Sequence, residues 1–250
     1  MKRLTLTLIL GFATSLIFAQ QKILFKLTPE LNQPVKYEMV MKMDIQAEQM
    51  MIMDIISTYS MTATEATADE LTITSTFDKI TMDMNAGLVS MSYDSSKEPN
   101  GPAEQALAQQ IKPVLEKPIT SKINRFGKTL SIDAPEAQGA IFDKQTMEKM
   151  FTTQYPDYAI APGESWTEEN ELPEFNAVAK TTYTFVEKNN QGYKFNISGS
   201  VIDNEGKTVG ETKGYTISDP KTLLTIYTLS ETDLEVSGAK LKTSMELKKL

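Results

Sequence analysis

The 250-residue sequence contains no cysteine and no histidine. Without cysteine the chain can form no disulfide, thiolate nucleophile, iron–sulfur cluster or cysteine-based zinc site. Without histidine it lacks the usual general base and the commonest transition-metal ligand. Only carboxylates, lysines, tyrosines and backbone dipoles remain for catalysis. We therefore predict that the protein is not an enzyme, that it has no catalytic or metal-binding residues, and that it uses no cofactor.

Positive charge is also scarce. The chain has 25 lysines and arginines against 33 aspartates and glutamates, which gives a net charge of −8. An acidic protein repels phosphate groups, so nucleic acids and anionic membrane surfaces are not expected partners. The sequence also lacks a Walker loop, a dinucleotide-binding glycine motif and a Gly-x-Ser-x-Gly elbow. These features leave a binding or structural protein as the expected class.

The one long apolar run lies at the start of the chain. Lys2 and Arg3 precede an apolar stretch from Leu4 to Phe18, and Ala19 offers a small residue for cleavage. This layout is typical of a secretory signal peptide, and the run is short for a membrane span. We predict a signal peptide at 1–19 and a single β-rich domain at 20–250, secreted to the periplasm or beyond the cell. Losing Lys2 and Arg3 would change the net charge from −8 to −10, and no transmembrane segment would remain.

Alternation of apolar and polar residues predicts β-strands along most of the chain. It is clearest in Val35–Ala47, resumes in Met51–Ala63, and continues from Leu71 with a phase slip at Lys79 that indicates a bulge. Apolar Ile52 and Ile56 on the second face of Met51–Ala63 predict that this strand is covered on both sides. Further strands are predicted at 89–93, 177–187, 193–197, 208–218, 223–232 and 241–247, separated by turns, and a hairpin is predicted at 119–132 with its turn at 125–128.

Two segments carry helical patterns instead. Helices are predicted at 103–117, where Pro113 should kink or end the helix, and at 143–153. The proline-containing segment 155–174 is predicted to be irregular, apart from a tight turn at 162–166 that launches a strand and anchors Trp166 in the core. The fold class is therefore mainly β: a curved antiparallel sheet, as a half-barrel or open barrel, with two short helices packed at its mouth or on its concave face.

Methionine is the most unusual component of the sequence. Ten of the 14 methionines fall within one third of the chain, and Met-x-Met pairs recur. Three interpretations stay open: methionines filling an ordinary core, methionines lining an adaptable site for apolar ligands, and thioethers binding Cu(I). The candidate residues for an apolar lining are Tyr37, Met39, Met41, Met43, Met51, Met53, Met82, Met84 and Met91.

Two acidic segments have simpler interpretations. Glu164, Glu168, Glu169 and Glu171 surround Trp166, the only tryptophan. Paired carboxylates beside an aromatic are used by glycosidases, but a local run of charge in a loop is usually solvated, and we favour the second interpretation. Residues 203–206 resemble part of a calcium loop, yet the remaining oxygen ligands are missing, so a hairpin turn is predicted.

Several short blocks of the sequence resemble a known protein family. They are Tyr37–Asp44, Lys79–Met84 with Ser92–Ser95, Phe126–Lys128 and Pro162–Trp166, together with the signal-like end Ile17–Gln21. These blocks are similar to an uncharacterised Met-rich secreted family of Bacteroidota, a domain of unknown function. The resemblance implies the compartment and a β-rich architecture, and it transfers no functional residue.

The leading hypothesis is a non-enzymatic envelope protein that binds a lipid, another apolar small molecule or a lipidated partner within the Met-lined sheet. The alternatives are a structural or protein-interaction module with a fully packed core, and a Cu(I)-binding protein. The identity of any protein partner stays unknown from the sequence.

Overall fold

The computed structural model describes residues 21–135, 147, 153–236 and 238–250. Twelve strands and the α-helix α1 (Pro102–Glu116) are the main regular elements of this part of the chain. The strands are β1 (Val35–Gln46), β2 (Met50–Ala66), β3 (Glu70–Ala86), β4 (Val89–Asp94), β5 (Ile119–Asn124), β6 (Thr129–Asp133), β7 (Ser165–Leu172), β8 (Ala177–Lys188), β9 (Tyr193–Asp203), β10 (Thr208–Ser218), β11 (Thr225–Val236) and β12 (Ala239–Lys249).

All twelve strands belong to one antiparallel sheet. Its order is β6-β5-β3-β2-β1-β12-β11-β10-β9-β8-β7, with β4 paired to the later part of β3. The N-terminal strand β1 pairs with the C-terminal strand β12 in the middle of the sheet. The sheet is open, with β6 and β7 at its edges, and curved as a half-barrel. The predicted fold class is confirmed.

The strands form where the sequence alternates, because one face of the sheet is buried and the other is wet. In β2 the buried positions recur at every second residue from Met53 to Ala63. The phase slip predicted near Lys79 is a bulge: Thr58 pairs with Lys79 and Tyr59 with Phe77, which leaves Asp78 without an opposite residue. Because of this bulge, the inward-facing residues of β3 before and after Asp78 lie on the same face of the sheet.

The core lies on the inner face of the curved sheet. Residues 21–34, here called the strap, cross one end of this face and are pinned by backbone hydrogen bonds such as Leu27 N–H to Arg125 C=O and Thr28 N–H to Thr222 C=O. Phe25 of the strap is fully buried. Its ring lies 5.1 Å from each of three aromatic rings, those of Phe185, Tyr193 and Phe195. The strap therefore closes this end of the half-barrel.

Helix α1 covers the inner face beside β3 and β4. Pro102 occupies its first turn, where a missing N–H costs nothing, and the Glu104 carboxylate accepts a hydrogen bond from the Asn100 N–H at 2.7 Å. Ile111 and Val114 are buried against the sheet. Pro113 lies inside the helix, which ends three residues later at Glu116. The helix predicted at 103–117 is thus present.

Four other expectations have different outcomes. The segment predicted as irregular, 155–174, contains the edge strand β7, which starts at the predicted strand-launching turn at 162–166 and buries Trp166 as expected. The two-sided covering predicted for β2 is wrong, because Ile52 is 48% and Ile56 is 42% exposed on the outer face. The predicted signal peptide at 1–19 lies outside the described residues. So does most of the helix predicted at 143–153, of which Met147 is described as helical and fully buried.

Candidate functional site

In the half of the inner face away from the strap, here called the open end, many side chains stay half-buried, whereas Ala177, Val201 and Leu234 form a small buried cluster of their own. Strand register places ten residues in a single line across the sheet, because each residue pairs directly with the next. This line is here called the inner row. From β4 to β7 it consists of Met91, Met84, Met53, Met43, Thr243, Thr232, Thr212, Gly199, Thr181 and Glu168.

The first part of the inner row is a block of four methionines on four neighbouring strands. Met53 is 9% exposed, whereas Met43, Met84 and Met91 are half-buried. The adjacent line of paired residues adds Met41 and Met245, which are also half-buried. Cross-strand neighbours lie about 5 Å apart at Cβ, so these thioethers form a continuous apolar surface. Such a surface adapts its shape to what it contacts, because methionine has three rotatable bonds.

The middle of the inner row is made of small hydroxyl residues. The hydroxyls of Thr212 and Thr232 are 2.9 Å apart and hydrogen-bonded. A Cβ at Gly199 would lie 2.7 Å from the Lys180 carbonyl oxygen, so this position requires glycine. Gly214, in the next line of paired residues, is more crowded still, because a Cβ there would clash with the Leu229 carbonyl oxygen. Glycines at such positions let the sheet bend tightly. Because glycine has no side chain, little side-chain volume fills the middle of the open end.

The far end of the inner row is the carboxylate of Glu168 on the edge strand β7. Glu168 shares its face with Trp166, whose Nε1–H donates to the Gln154 carbonyl oxygen at 3.1 Å and to the Glu168 carboxylate at 3.4 Å. The Trp166 ring stacks on Tyr183 at 5.1 Å. Burial against these groups raises the pKa of Glu168 to about 7, although the Trp166 hydrogen bond lowers it.

Glu168 has no positively charged partner among the residues that the structure describes. No lysine or arginine nitrogen of that part of the chain lies within 4.0 Å of its carboxylate. Its sequence neighbour Glu169 points to the outer face and pairs with Lys180 at 2.7 Å. Glu164, also part of the predicted acidic cluster, pairs with Lys22 of the strap at 2.8 Å. The acidic cluster is therefore divided, and strand alternation places Glu168 and Glu169 on opposite faces.

The candidate lining residues fall into two groups. Tyr37, Met39, Met53 and Met82 are buried in the core, at 1%, 2%, 9% and 4% exposure. The other five line the half-exposed surface: Met41, Met43, Met51, Met84 and Met91. All nine lie on the inner face, because each is an inward position of its strand. The sequence pattern places them on one face but does not separate core from lining.

Sequence reasoning missed the part of the inner row beyond β12. It groups Glu168 with its neighbours as a solvated run, although Trp166, Glu168, Asn170 and Leu172 alternate with exposed residues in β7. That alternation places Glu168 on the same face as Trp166 and could have identified it as an inward carboxylate. The threonine positions carry no comparable signal, since threonine is common on both faces of strands.

Two further findings concern the described residues as a whole. No group of three or more Asp and Glu residues in this part of the chain is arranged to hold a metal ion. No helix within it is long and apolar enough to cross a membrane.

Comparison with known proteins defines the fold but not the family. No protein-family model matches the chain, and no curated protein matches its sequence. A structure of lipovitellin, solved for its lipid–protein interactions, is similar at a TM-score of 0.51 and 10% identity over 88% of this chain. The match covers 25% of the lipovitellin chain, so this protein spans about a quarter of that length. At this identity the likeness shows a shared fold.

Two bacterial structures are more distant. A DUF1329 family protein from Desulfovibrio piger is similar at a TM-score of 0.25 and 7% identity, over 87% of each chain. A domain from Vibrio parahaemolyticus named for outer membrane lipoprotein sorting has a TM-score of 0.22 and 10% identity, over 86% of this chain and 85% of that one. Neither supports an argument about this chain.

Proposed function

We propose that this is a non-enzymatic protein of the cell envelope, secreted or periplasmic, that binds a lipid or the acyl chain of a lipidated partner at its open end. The observation that carries the proposal is the block of half-exposed methionines on neighbouring strands at the open end, with Met41, Met43 and Met84 at its centre. Continuous apolar surface that stays partly accessible supports a binding site, because contiguous apolar patches at a protein surface are often functional. Methionine suits ligands of variable shape, such as acyl chains.

The shared fold with lipovitellin is consistent with this proposal without carrying it. The lipid–protein interactions of that structure are those of lipovitellin itself. For this chain the proposal depends on its own lining. The methionines at the open end stay half-buried, whereas the strap covers the other end and buries Phe25 and Leu27, at 0% and 2% exposure. The open end is therefore the site that an acyl chain would occupy.

The test is native mass spectrometry of residues 20–250. The protein is produced with the secretion signal in a bacterial periplasm, delipidated, and then reloaded with a long-chain alcohol before the measurement. We expect a mass adduct for the unchanged protein. Met43→Glu should remove the adduct, because it places an uncompensated charge in the apolar lining. Lys42→Glu is the matched control: the same side chain is introduced one residue away on the exposed outer face, and the adduct should persist.

Two results would contradict the proposal. One is a bare mass for the reloaded protein, which would favour a packed scaffold without a ligand. The other is an adduct that survives in Met43→Glu, which would place the ligand elsewhere. Circular dichroism of each variant is needed in parallel, so that a folding defect is distinguished from lost binding.

A second candidate function is Cu(I) binding, favoured by the four paired methionines of the inner row. Thioethers are soft ligands that suit Cu(I), and Met43, Met53, Met84 and Met91 are side by side through strand pairing. Titration with Cu(I) under reducing conditions, followed by native mass spectrometry, tests it. One bound copper that is lost in Met84→Leu would support this candidate, and no copper adduct would remove it.

A further inference from the structure

The inner row changes its chemistry from one end to the other. Four methionines form its start, threonines and a glycine its middle, and Glu168 its end. Ligand-binding faces that are apolar throughout accept a ligand in any direction. A face that ends in one half-buried carboxylate does not, because that group requires a partner on the ligand.

The Glu168 carboxylate at the end of the inner row is positioned to accept a hydrogen bond from a donor group on a ligand. Glu168 is held by the Trp166 indole N–H, and the Trp166 ring is fixed by stacking on Tyr183 and by its bond to the Gln154 carbonyl. The indole hydrogen bond of 3.4 Å is long, and no described lysine or arginine neutralises the carboxylate. A half-buried carboxylate with these neighbours is stabilised by an approaching cation more than by any other group.

The dimensions favour a long-chain ligand. Six strand spacings separate Met43 on β1 from Glu168 on β7, which is about 29 Å measured along the sheet. Because the sheet is curved and both side chains project inward, the straight path between them is shorter. A long acyl chain can bridge this path, whereas a short-chain molecule reaches only one end.

We propose that the open end binds a long-chain amphiphile with an ammonium headgroup, its chain over the methionines and its headgroup against the Glu168 carboxylate. This inference depends on the proposed function and adds the ligand class and its direction. The threonines between the two ends provide hydroxyls along the path of the chain near the headgroup. The raised pKa of Glu168 agrees with an acidic group that lacks a cation in the free protein.

The experiment compares tetradecylamine with tetradecanol and tetradecanoic acid as competitors of a fluorescent fatty alcohol at pH 8, where Glu168 is mostly ionised. We expect the amine to bind at least tenfold more tightly than the alcohol, and the fatty acid to bind most weakly. Glu168→Gln should bring the amine and the alcohol to equal affinity. Glu169→Gln, which removes one charge from the outer face of the same strand, should leave the tenfold preference unchanged.

The outcomes separate this inference from the proposed function. If amine and alcohol bind equally to the unchanged protein, or if Glu168→Gln keeps the preference, the assignment of the headgroup is wrong while apolar binding stands. If Glu169→Gln loses the preference as well, the amine is attracted by net charge alone, and the assignment is also wrong. If the fluorescent alcohol does not bind and none of the three probes binds either, the proposed function fails, and this inference fails with it.

Discussion

The two ends of the inner face are built from the same strands and differ in what covers them. In β1, Tyr37 and Met39 at the closed end are 1% and 2% exposed, whereas Met41 and Met43, two and four residues further along, are half-buried. The alternation is identical in both pairs. The strap lies over the closed end, so the same residue type is core in one place and lining in the other. The difference shows that a covering segment, rather than the strand pattern, decides which methionines a ligand can reach.

The largest effect of this difference should be on stability. Phe25→Ala empties the closed end of a fully buried ring with four aromatic neighbours, and we expect it to lower the free energy of unfolding by about 3–5 kcal/mol. Met43→Ala at the open end should cost only about 1 kcal/mol, because a half-exposed side chain leaves no sealed cavity. Urea unfolding of both variants measures the two values. Equal losses in the free energy of unfolding for the two variants would contradict the distinction between buried core at the closed end and lining at the open end.

A smaller effect should appear as pH dependence at the open end. Burial raises the pKa of Glu168 to about 7 from a normal value of 4.5, so the folded protein holds a proton that the unfolded chain has released between these values. The free energy of unfolding should therefore fall as pH rises from about 4.5 to 7. Allowing for solvent screening of a half-exposed group, the loss is about 1–2 kcal/mol.

The other groups around Glu168 should not interfere with that measurement. The Tyr183 phenol is the titratable neighbour that interacts with the Glu168 charge, and burial together with that charge raises its pKa, so it stays neutral throughout this range. Trp166 does not titrate. Glu168→Gln should flatten the slope between pH 4.5 and 7, and Glu169→Gln should retain it. A slope that survives in Glu168→Gln would assign the titration to another group.

Much of the fold could be predicted from the sequence because the hydrophobic period is local information. The strand pattern, the bulge beside Lys79 and helix α1 follow from the spacing of apolar residues. The turn at 162–166 predicts the start of a strand, but the extent of β7 is missed because three nearby prolines and a run of glutamates obscure its alternation. Ile52 and Ile56 indicate a covered outer face, yet no described element packs over them there, and single exposed apolar residues are common.

The candidate site was predictable only in part, for a physical reason. Alternation identifies a face, and it therefore places all nine candidate residues inward. Whether an inward residue is core or lining depends on a distant segment: the strap contacts the β5–β6 turn at Arg125 and the β10–β11 loop at Thr222. The pairing of β1 with β12, which joins Met43 to Thr243, is a contact between strands far apart in the chain. No local pattern contains that information.

The most direct test of the central claim is residue-level photocrosslinking with a long-chain alcohol that carries a diazirine near its terminal carbon. We expect the label on open-end residues such as Met41, Met43 and Met84, and its loss when unlabelled alcohol is added in excess. Its neutral headgroup makes the result independent of Glu168. Labelling on the outer face, at Tyr215 or Tyr227 for example, or no labelling that unlabelled alcohol can displace, would contradict the claim that the open end is a binding site for an apolar ligand.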